Sequence, residues 1–387
     1  MERRRISPVG MKTVVVSCNM VTAYGKGTDA CWEGINAGKT AISQINRFPT
    51  QAFLSDHAAT VKGLAYHHEE SLVMQLLKLL FDEYRGWIPR DAKLILATTK
   101  GEIDLLEKGI LEGREDVSCS NPGVLLGKVA SLAGVDDAGM IISAACASSS
   151  SAVARAAAMI RSGPADCVLV VACDSVTEFV FSGFSALMAL DKYAARPFDR
   201  KRSGLSLGEA AAYVVLMSEA RALRDGREIV GEVAGWGMSN DANHMTGPSR
   251  TGEGMVLAIR KALKSAHADE KQIGIISAHG TGTVFNDAME IKAFTTVFSD
   301  KAPVYSIKGG TGHTMGATGL VEMIIALRAL KEGCVPFTVN LQDPHEEFRE
   351  WVFVGQRPVR AGAMALLTNA GFSGINAALV IAREETE

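Results

Sequence analysis

Short runs of consecutive apolar residues punctuate the chain, and stretches of helical spacing lie between them. The runs at 12–18, 93–98, 140–142, 167–172, 210–217, 229–236, 273–277, 304–307, 363–368 and 377–381 read as strands. Several lack polar alternation, as in a sheet buried on both faces. The segments 29–37, 69–84, 254–266, 287–298 and 315–330 read as helices; Leu72, Leu76, Leu79 and Leu80 show the three- and four-residue spacing in the second. Gly38 and Gly86 stop the first two. Residues 39–65 are irregular. Residues 101–127 are charged, then bear Gly and Pro, and continue as a helix through Leu132. Residues 174–205 form a long connection in which Phe179, Phe181, Phe184 and Met188 are apolar enough for a lid or an interface. Strands alternating with helices predict an α/β fold.

One stretch, 141–163, concentrates the chemistry. A short apolar strand runs into a turn of small residues at Cys146, and an alanine-rich helix follows, closed by Gly163-Pro164. A thiol at a helix N-terminus faces unpaired N–H groups and the positive end of the helix dipole. That lowers its pKa and makes a nucleophile. A buried structural cysteine is the plainer alternative.

The second half repeats this order. His313, like Cys146, follows a short apolar strand and opens a helix of small residues, and each helix carries a charged residue nine positions on, Arg155 and Glu322. Helices so poor in bulky groups pack closely. Two similar halves, 11–225 and 226–387, are expected to form one compact unit about a pseudo-two-fold, with two buried helices at its centre presenting Cys146 and His313 to each other.

Composition narrows the class. The chain has 387 residues, 47% of them apolar and 21% charged, which is ample for a large core. A net charge of −3 gives no support to nucleic-acid binding. Seven cysteines with no CxxC pair read as reduced thiols of a cytosolic protein and argue against zinc. The basic start, Met1-Glu2-Arg3-Arg4-Arg5, is followed only by the apolar run Val14 to Val16, too short for a signal peptide, and residues 1–10 look like a loose extension before Met11. No apolar stretch approaches the ~20 residues of a membrane span.

Of eight histidines, His57, His67, His68, His267 and His345 lie in polar contexts and read as surface residues. His279 ends a strand inside a Gly/Thr turn, the usual place for sites in α/β sheets. With His313 and Cys146 it makes a nucleophile accompanied by two hydrogen-bond donors or bases, unless both histidines serve only their turns.

Across nearly its whole length, from about residue 12, the chain resembles the β-ketoacyl-acyl-carrier-protein synthases of the thiolase superfamily, closest to the type II elongating branch. The resemblance rests on Ala144-Ala-Cys146-Ala-Ser-Ser, Arg196-Pro-Phe-Asp199 with Gly208-Glu209, Gly237-Met-Ser-Asn-Asp241-Ala-Asn-His244-Met-Thr246, His279-Gly-Thr281-Gly-Thr283 with Asn286-Asp287 and Glu290, Lys308 with Gly312-His313 and Gly316, Glu322, and Gly371-Phe372-Ser-Gly374 with Asn376. It implies the duplicated, five-layer α-β-α-β-α thiolase-like fold. It implies that Cys146 takes an acyl group from a phosphopantetheine thioester, and that His279 and His313 hydrogen-bond a malonyl thioester carbonyl as carbon dioxide leaves. The acyl-cysteine oxyanion would sit against the N–H groups of Cys146 and Phe372. Lys308 and Glu322 resemble a charged pair that orients His313, or else a buried ion pair of little net stability. Thr246, Thr281 and Thr283 would bind the pantetheine arm, and Phe372 would gate the acyl pocket. No cofactor is implied beyond the carrier's phosphopantetheine.

The chain departs from the family at particular positions. Leu205 replaces an aromatic associated with gating decarboxylation, Ser373 a glycine, and Ala370 a common aromatic. Met188 falls where many relatives have a carrier-binding arginine. The connection 185–196 and the loop 114–130 look short. Arg200-Lys201-Arg202 is a candidate basic patch for an acidic carrier protein, or a solvated loop. Two functions compete: a condensing enzyme of fatty-acid, polyketide or aryl-polyene synthesis, and a non-catalytic chain-length factor. The retained Cys146, His279 and His313 count against the second. A biosynthetic thiolase is a third reading, but it would use a second cysteine near the C-terminus, and the 369–374 loop of this chain has none. The family implies a homodimer, or a heterodimer with a ketosynthase-like subunit, acting with acyl-carrier protein.

Overall fold

A computed structural model describes residues 12–82, 87–114, 118–360 and 363–383. The basic N-terminus, Gly86 and part of the 114–130 loop lie outside the described residues.

The strands are β1 (Thr13–Thr22), β2 (Lys93–Ala97), β3 (Met140–Ile142), β4 (Cys167–Asp174), β5 (Ala210–Ser218), β6 (Gly231–Asn240), β7 (Ile273–Ser277), β8 (Val304–Tyr305), β9 (Met364–Gly371) and β10 (Ile375–Ala382). They hydrogen-bond in the order β8-β7-β9-β10-β6-β1-β5-β4-β2-β3. From either edge inward the two sets of five follow one plan, third-second-fourth-fifth-first in chain order. The outer pairs are parallel and the inner ones antiparallel in both halves. The halves join where β1 meets β6, through the pairs Val14↔Glu232 and Val15↔Gly231. Every residue of β4 and β5 is buried, which explains why both are apolar up to their last residues, Asp174 and Ser218.

The helices used below are α1 (Leu72–Phe81), α2 (Pro122–Ala133), α3 (Ser148–Ser162), α4 (Glu178–Ala186), α5 (Glu253–Ala266), α6 (Val284–Val297) and α7 (Thr318–Glu332). α1 and α2 cover the outer face of the first half, α5 and α6 that of the second. α3 and α7 lie in a shared core between the two halves of this continuous sheet. This gives the five layers of the thiolase-like fold. Small residues let the two central helices touch: Leu320 N–H donates to Ser149 Oγ at 3.1 Å. A Cβ on Gly319 would lie 2.1 Å from Ser150 Oγ.

Several details differ from the sequence reading. The long connection contains a helix, α4, started by Thr177, whose hydroxyl accepts the Val180 N–H. β8 stops at Tyr305, because 308–311 coil into a short helix, and α7 begins at Thr318 after a 3₁₀ turn at Met315–Ala317. His313 therefore sits in a turn ahead of the helix. The parallel between Arg155 and Glu322 fails, since Arg155 is exposed and Glu322 buried.

Candidate active site

Cys146 ends the turn between β3 and α3, two residues before the helix. Ala145 ahead of it holds a left-handed backbone, φ 48°, which aims the thiol inward. His313 reaches the same point from the other half. Its backbone is clamped by the 206–208 segment: its N–H donates to Ser206 O at 2.7 Å, and its carbonyl accepts Gly208 N–H at 3.0 Å. This close passage requires Gly312, whose φ is 65° and whose Cβ would lie 2.4 Å from Leu207 O. His313 Nε2 stands 3.0 Å from Cys146 Sγ.

His279 lies beside His313, ring centroids 5.1 Å apart and nearly perpendicular. One ligating atom from each of Cys146, His279 and His313 falls within 4.8 Å of the others, and all three residues are buried. Glu290, from α6, accepts the N–H of His279 at 2.8 Å and that of Gly280 at 2.7 Å. Thr368 and Asn286 also donate to it, at 2.8 and 2.9 Å. Lys308 Nζ donates to the His279 carbonyl and to Glu322, whose other oxygen accepts Asn369 Nδ2 at 2.7 Å. The Lys308–Glu322 pair thus bonds the backbone of His279 and not the ring of His313. The family resemblance implies instead that the pair orients His313.

Burial sets the charges here. Both rings are pushed well below the usual histidine range by desolvation, with Lys308 adding to it, so they are neutral at pH 7. Burial raises Glu290 to about 7 and Asp287 to about 6, and pushes Glu322 up against the pull of Lys308. It also raises the Cys146 thiol to about 11, although Lys100, Lys308 and the Phe372 N–H draw it down. The depressed thiol pKa expected from the helix N-terminus is therefore not found. Cys146 is only 6% exposed and lies ahead of the N-cap, Ala147, so loss of water outweighs the helix end.

A cavity of about 440 Å³ opens onto these groups. Thr246, Thr281, Thr283, Leu205 and Phe372 line it together with Cys146, His279 and His313, whereas Lys308 and Glu322 lie behind it. The Thr281 and Thr283 hydroxyls are 2.9 Å apart. Ser373, beyond Phe372, sits in the left-handed region at φ 66°, and its N–H donates to Met245 O at 2.6 Å. A second, mostly apolar cavity adjoins the first at Cys146, Phe184, Leu187 and Phe372. The Phe184 and Phe372 rings, 5.7 Å apart, stand between them.

Some site residues had no assigned role in the sequence. His244 Nδ1 accepts the N–H groups of Thr246 and Gly247 at 3.1 and 3.0 Å and shapes the cavity mouth. Asp241 accepts Asn376 Nδ2 at 2.8 Å below it. Both stand in quoted motifs, as Glu290 does. The sequence reads Phe184 only as part of an apolar lid or interface, and Lys100 carries no signal. Of the candidate basic patch, Arg202 is buried against Asp287 and the Phe348 ring, Arg200 pairs with Asp343 and Glu346 at the surface, and Lys201 is exposed. The six described cysteines are unpaired, and among the described residues no helix is long and apolar enough to cross a membrane.

Residues 90–222 match the family model of the beta-ketoacyl synthase N-terminal domain, and residues 230–342 that of its C-terminal domain. The 3-oxoacyl-[acyl-carrier-protein] synthase 2 of Vibrio cholerae is 30% identical over 96% of this chain and 99% of its own length. Among solved structures, the ishigamide ketosynthase/chain length factor matches with a TM-score of 0.87 and 28% identity, covering 97% of this chain and 100% of that one. The AntDE:AntF assembly, a type II polyketide synthase acyl-carrier protein in complex with its ketosynthase, matches at 0.85 and 25% with the same coverage. With Cys146 and two neutral histidines converging on one cavity, these matches make the chain a member of the beta-ketoacyl synthase family.

Proposed function

We infer that the protein is a β-ketoacyl-acyl-carrier-protein synthase, an acyltransferase that joins an acyl group to a malonyl unit by decarboxylative Claisen condensation in fatty-acid or polyketide-type chain elongation. The observation that carries this reading is the 3.0 Å contact between Cys146 Sγ and His313 Nε2 at the floor of a threonine-lined cavity.

The phosphopantetheine arm of an acyl-carrier protein enters along Thr246, Thr281 and Thr283. Cys146 Sγ attacks the thioester carbonyl and the carrier thiol departs, leaving an acyl-cysteine whose chain lies past Phe372. A malonyl thioester then places its carbonyl oxygen between His279 and His313. Carbon dioxide leaves, and the electron pair it leaves behind makes an enolate held by the two rings. The enolate carbon attacks the acyl-cysteine carbonyl, whose oxyanion is met by the N–H groups of Cys146 and Phe372. Collapse expels the Cys146 thiolate and releases a β-ketoacyl chain two carbons longer. Neutral donors at an oxygen that becomes charged only late in the step favour the transition state over the ground state. Glu290 and Lys308 hold the His279 turn from its N–H and C=O sides. Leu205, at the cavity wall, sets its shape near the malonyl group.

The two halves, 11–225 and 226–387, act as one unit with the site at their junction. Phe179, Leu187 and Met188 on and after α4 are exposed and are the surface a second ketosynthase-like subunit would cover. Intact-mass measurement with acyl- and malonyl-carrier proteins tests the reading. The wild type should form an acyl adduct and a product two carbons longer, and Cys146→Ala neither. Absence of any adduct on every chain length would instead favour a chain-length-factor role.

A further inference from the structure

We propose that Lys100 selects acyl groups carrying an oxygen function, a hydroxyl, ketone or carboxylate, beyond an apolar stretch next to the thioester. The proposal rests on the condensing reading above.

The cavity past Phe372 has a volume of about 420 Å³ and begins apolar, at Phe184, Val180, Leu187 and Met315. Its wall then changes character. Thr99, Lys100 and Ser143 belong both to this cavity and to an adjoining one, where Thr98 and Asn121 add polar groups. Lys100 stands at the junction of the two. Its ammonium donates to Thr99 Oγ1 at 2.6 Å and to Met315 Sδ at 3.2 Å. An ammonium has three donors, and a thioether is a weak acceptor. Among the described residues no carboxylate lies within ion-pair distance of it. The nearby Asp174 is already occupied, by Thr98 Oγ1, by Thr99 through its N–H and hydroxyl, and by the Gly316 N–H. The Lys100 charge is also close enough to the reaction centre to pull the Cys146 pKa down. A plain hydrocarbon chain threaded past this group would strip water from it without replacing the lost bonds. A chain with an oxygen at that depth would accept from it.

The test is acylation of Cys146 by thioesters of one length, octanoyl and its 5-, 6-, 7- and 8-hydroxy analogues, with rates read by intact mass on the full-length protein. The expected result is a hydroxylated chain favoured over octanoyl on the order of tenfold at one position, as a hydrogen bond to a charged group supplies. Lys100→Met should abolish the preference and Lys100→Arg keep most of it. Equal rates for all five thioesters in the wild type, or a preference unchanged in Lys100→Met, would overturn the proposal alone. No adduct with any thioester would overturn the condensing reading, and this proposal with it.

Discussion

The Nδ1 atom of His313 accepts the backbone N–H of Met315 at 3.3 Å. A ring nitrogen that accepts carries no proton, and burial keeps this ring neutral. The proton therefore resides on Nε2, which faces Cys146 Sγ at 3.0 Å. His313 is poised to give a hydrogen bond, first to sulfur and then to an enolate oxygen, and it does not take the thiol proton.

Replacing His279 or His313 by Ala should cut condensation by about 10²–10³-fold, the usual cost of losing one oxyanion donor. Acylation of Cys146 should survive in His279→Ala. Separate rates for adduct formation and for product release check this, and equal loss of both steps would contradict the donor role.

The thiol pKa of about 11 predicts a pH signature. Below that value the thiolate fraction rises about tenfold per pH unit. Iodoacetamide labelling of Cys146, followed by peptide mass, should climb steadily from pH 7 to 9. A plateau near neutrality would mean a thiolate already formed.

Lys308 and Glu322 are both about 1% exposed. Lys308→Met strands a buried carboxylate and should cost roughly 3–5 kcal/mol in urea unfolding. Lys308→Met combined with Glu322→Leu should recover part of that stability. Condensation should stay lost in both, because the His279 carbonyl has no anchor.

Gly319→Ala would push a Cβ toward Ser150 Oγ and to within 2.9 Å of the Ser150 nitrogen. It should destabilise the fold by about 1–3 kcal/mol, the range for overpacking. The shift would appear as an earlier urea midpoint at an unchanged slope.

Ser373→Gly removes a side chain from a left-handed backbone and should stabilise the protein by roughly 1 kcal/mol. Thermal unfolding would show it. A lower melting temperature would mean that the hydroxyl makes up for the backbone cost.

The fold and the cavity differ in how much of them the sequence discloses. Strands buried on both faces, such as β4 and β5, are apolar up to their last residues, Asp174 and Ser218, so their pattern is visible without tertiary knowledge. α4 escaped because nine residues with three phenylalanines and a glycine read as a connection, and its cap, Thr177, is a single hydroxyl. The cavity residues Thr246, Thr281, Thr283 and Phe372 stand in local motifs. The thiol pKa does not, because it depends on how much water the far half of the chain excludes. Arg202 reads as surface charge until Asp287 and Phe348, 85 and 146 positions away in sequence, are folded against it. Lys308 likewise meets the His279 carbonyl only through the tertiary fold.

The Cys146–His313 pair is separated by 167 positions in sequence. During synthesis the cysteine emerges with the first half, and groups of its site follow from the second: His279, Lys308, His313, and at the end the Phe372 N–H. A nascent chain halted before the second half carries an ordinary thiol and no catalyst. The donors for the condensation step are thus absent until the final strands dock, so an incomplete polypeptide has no means to extend an acyl group.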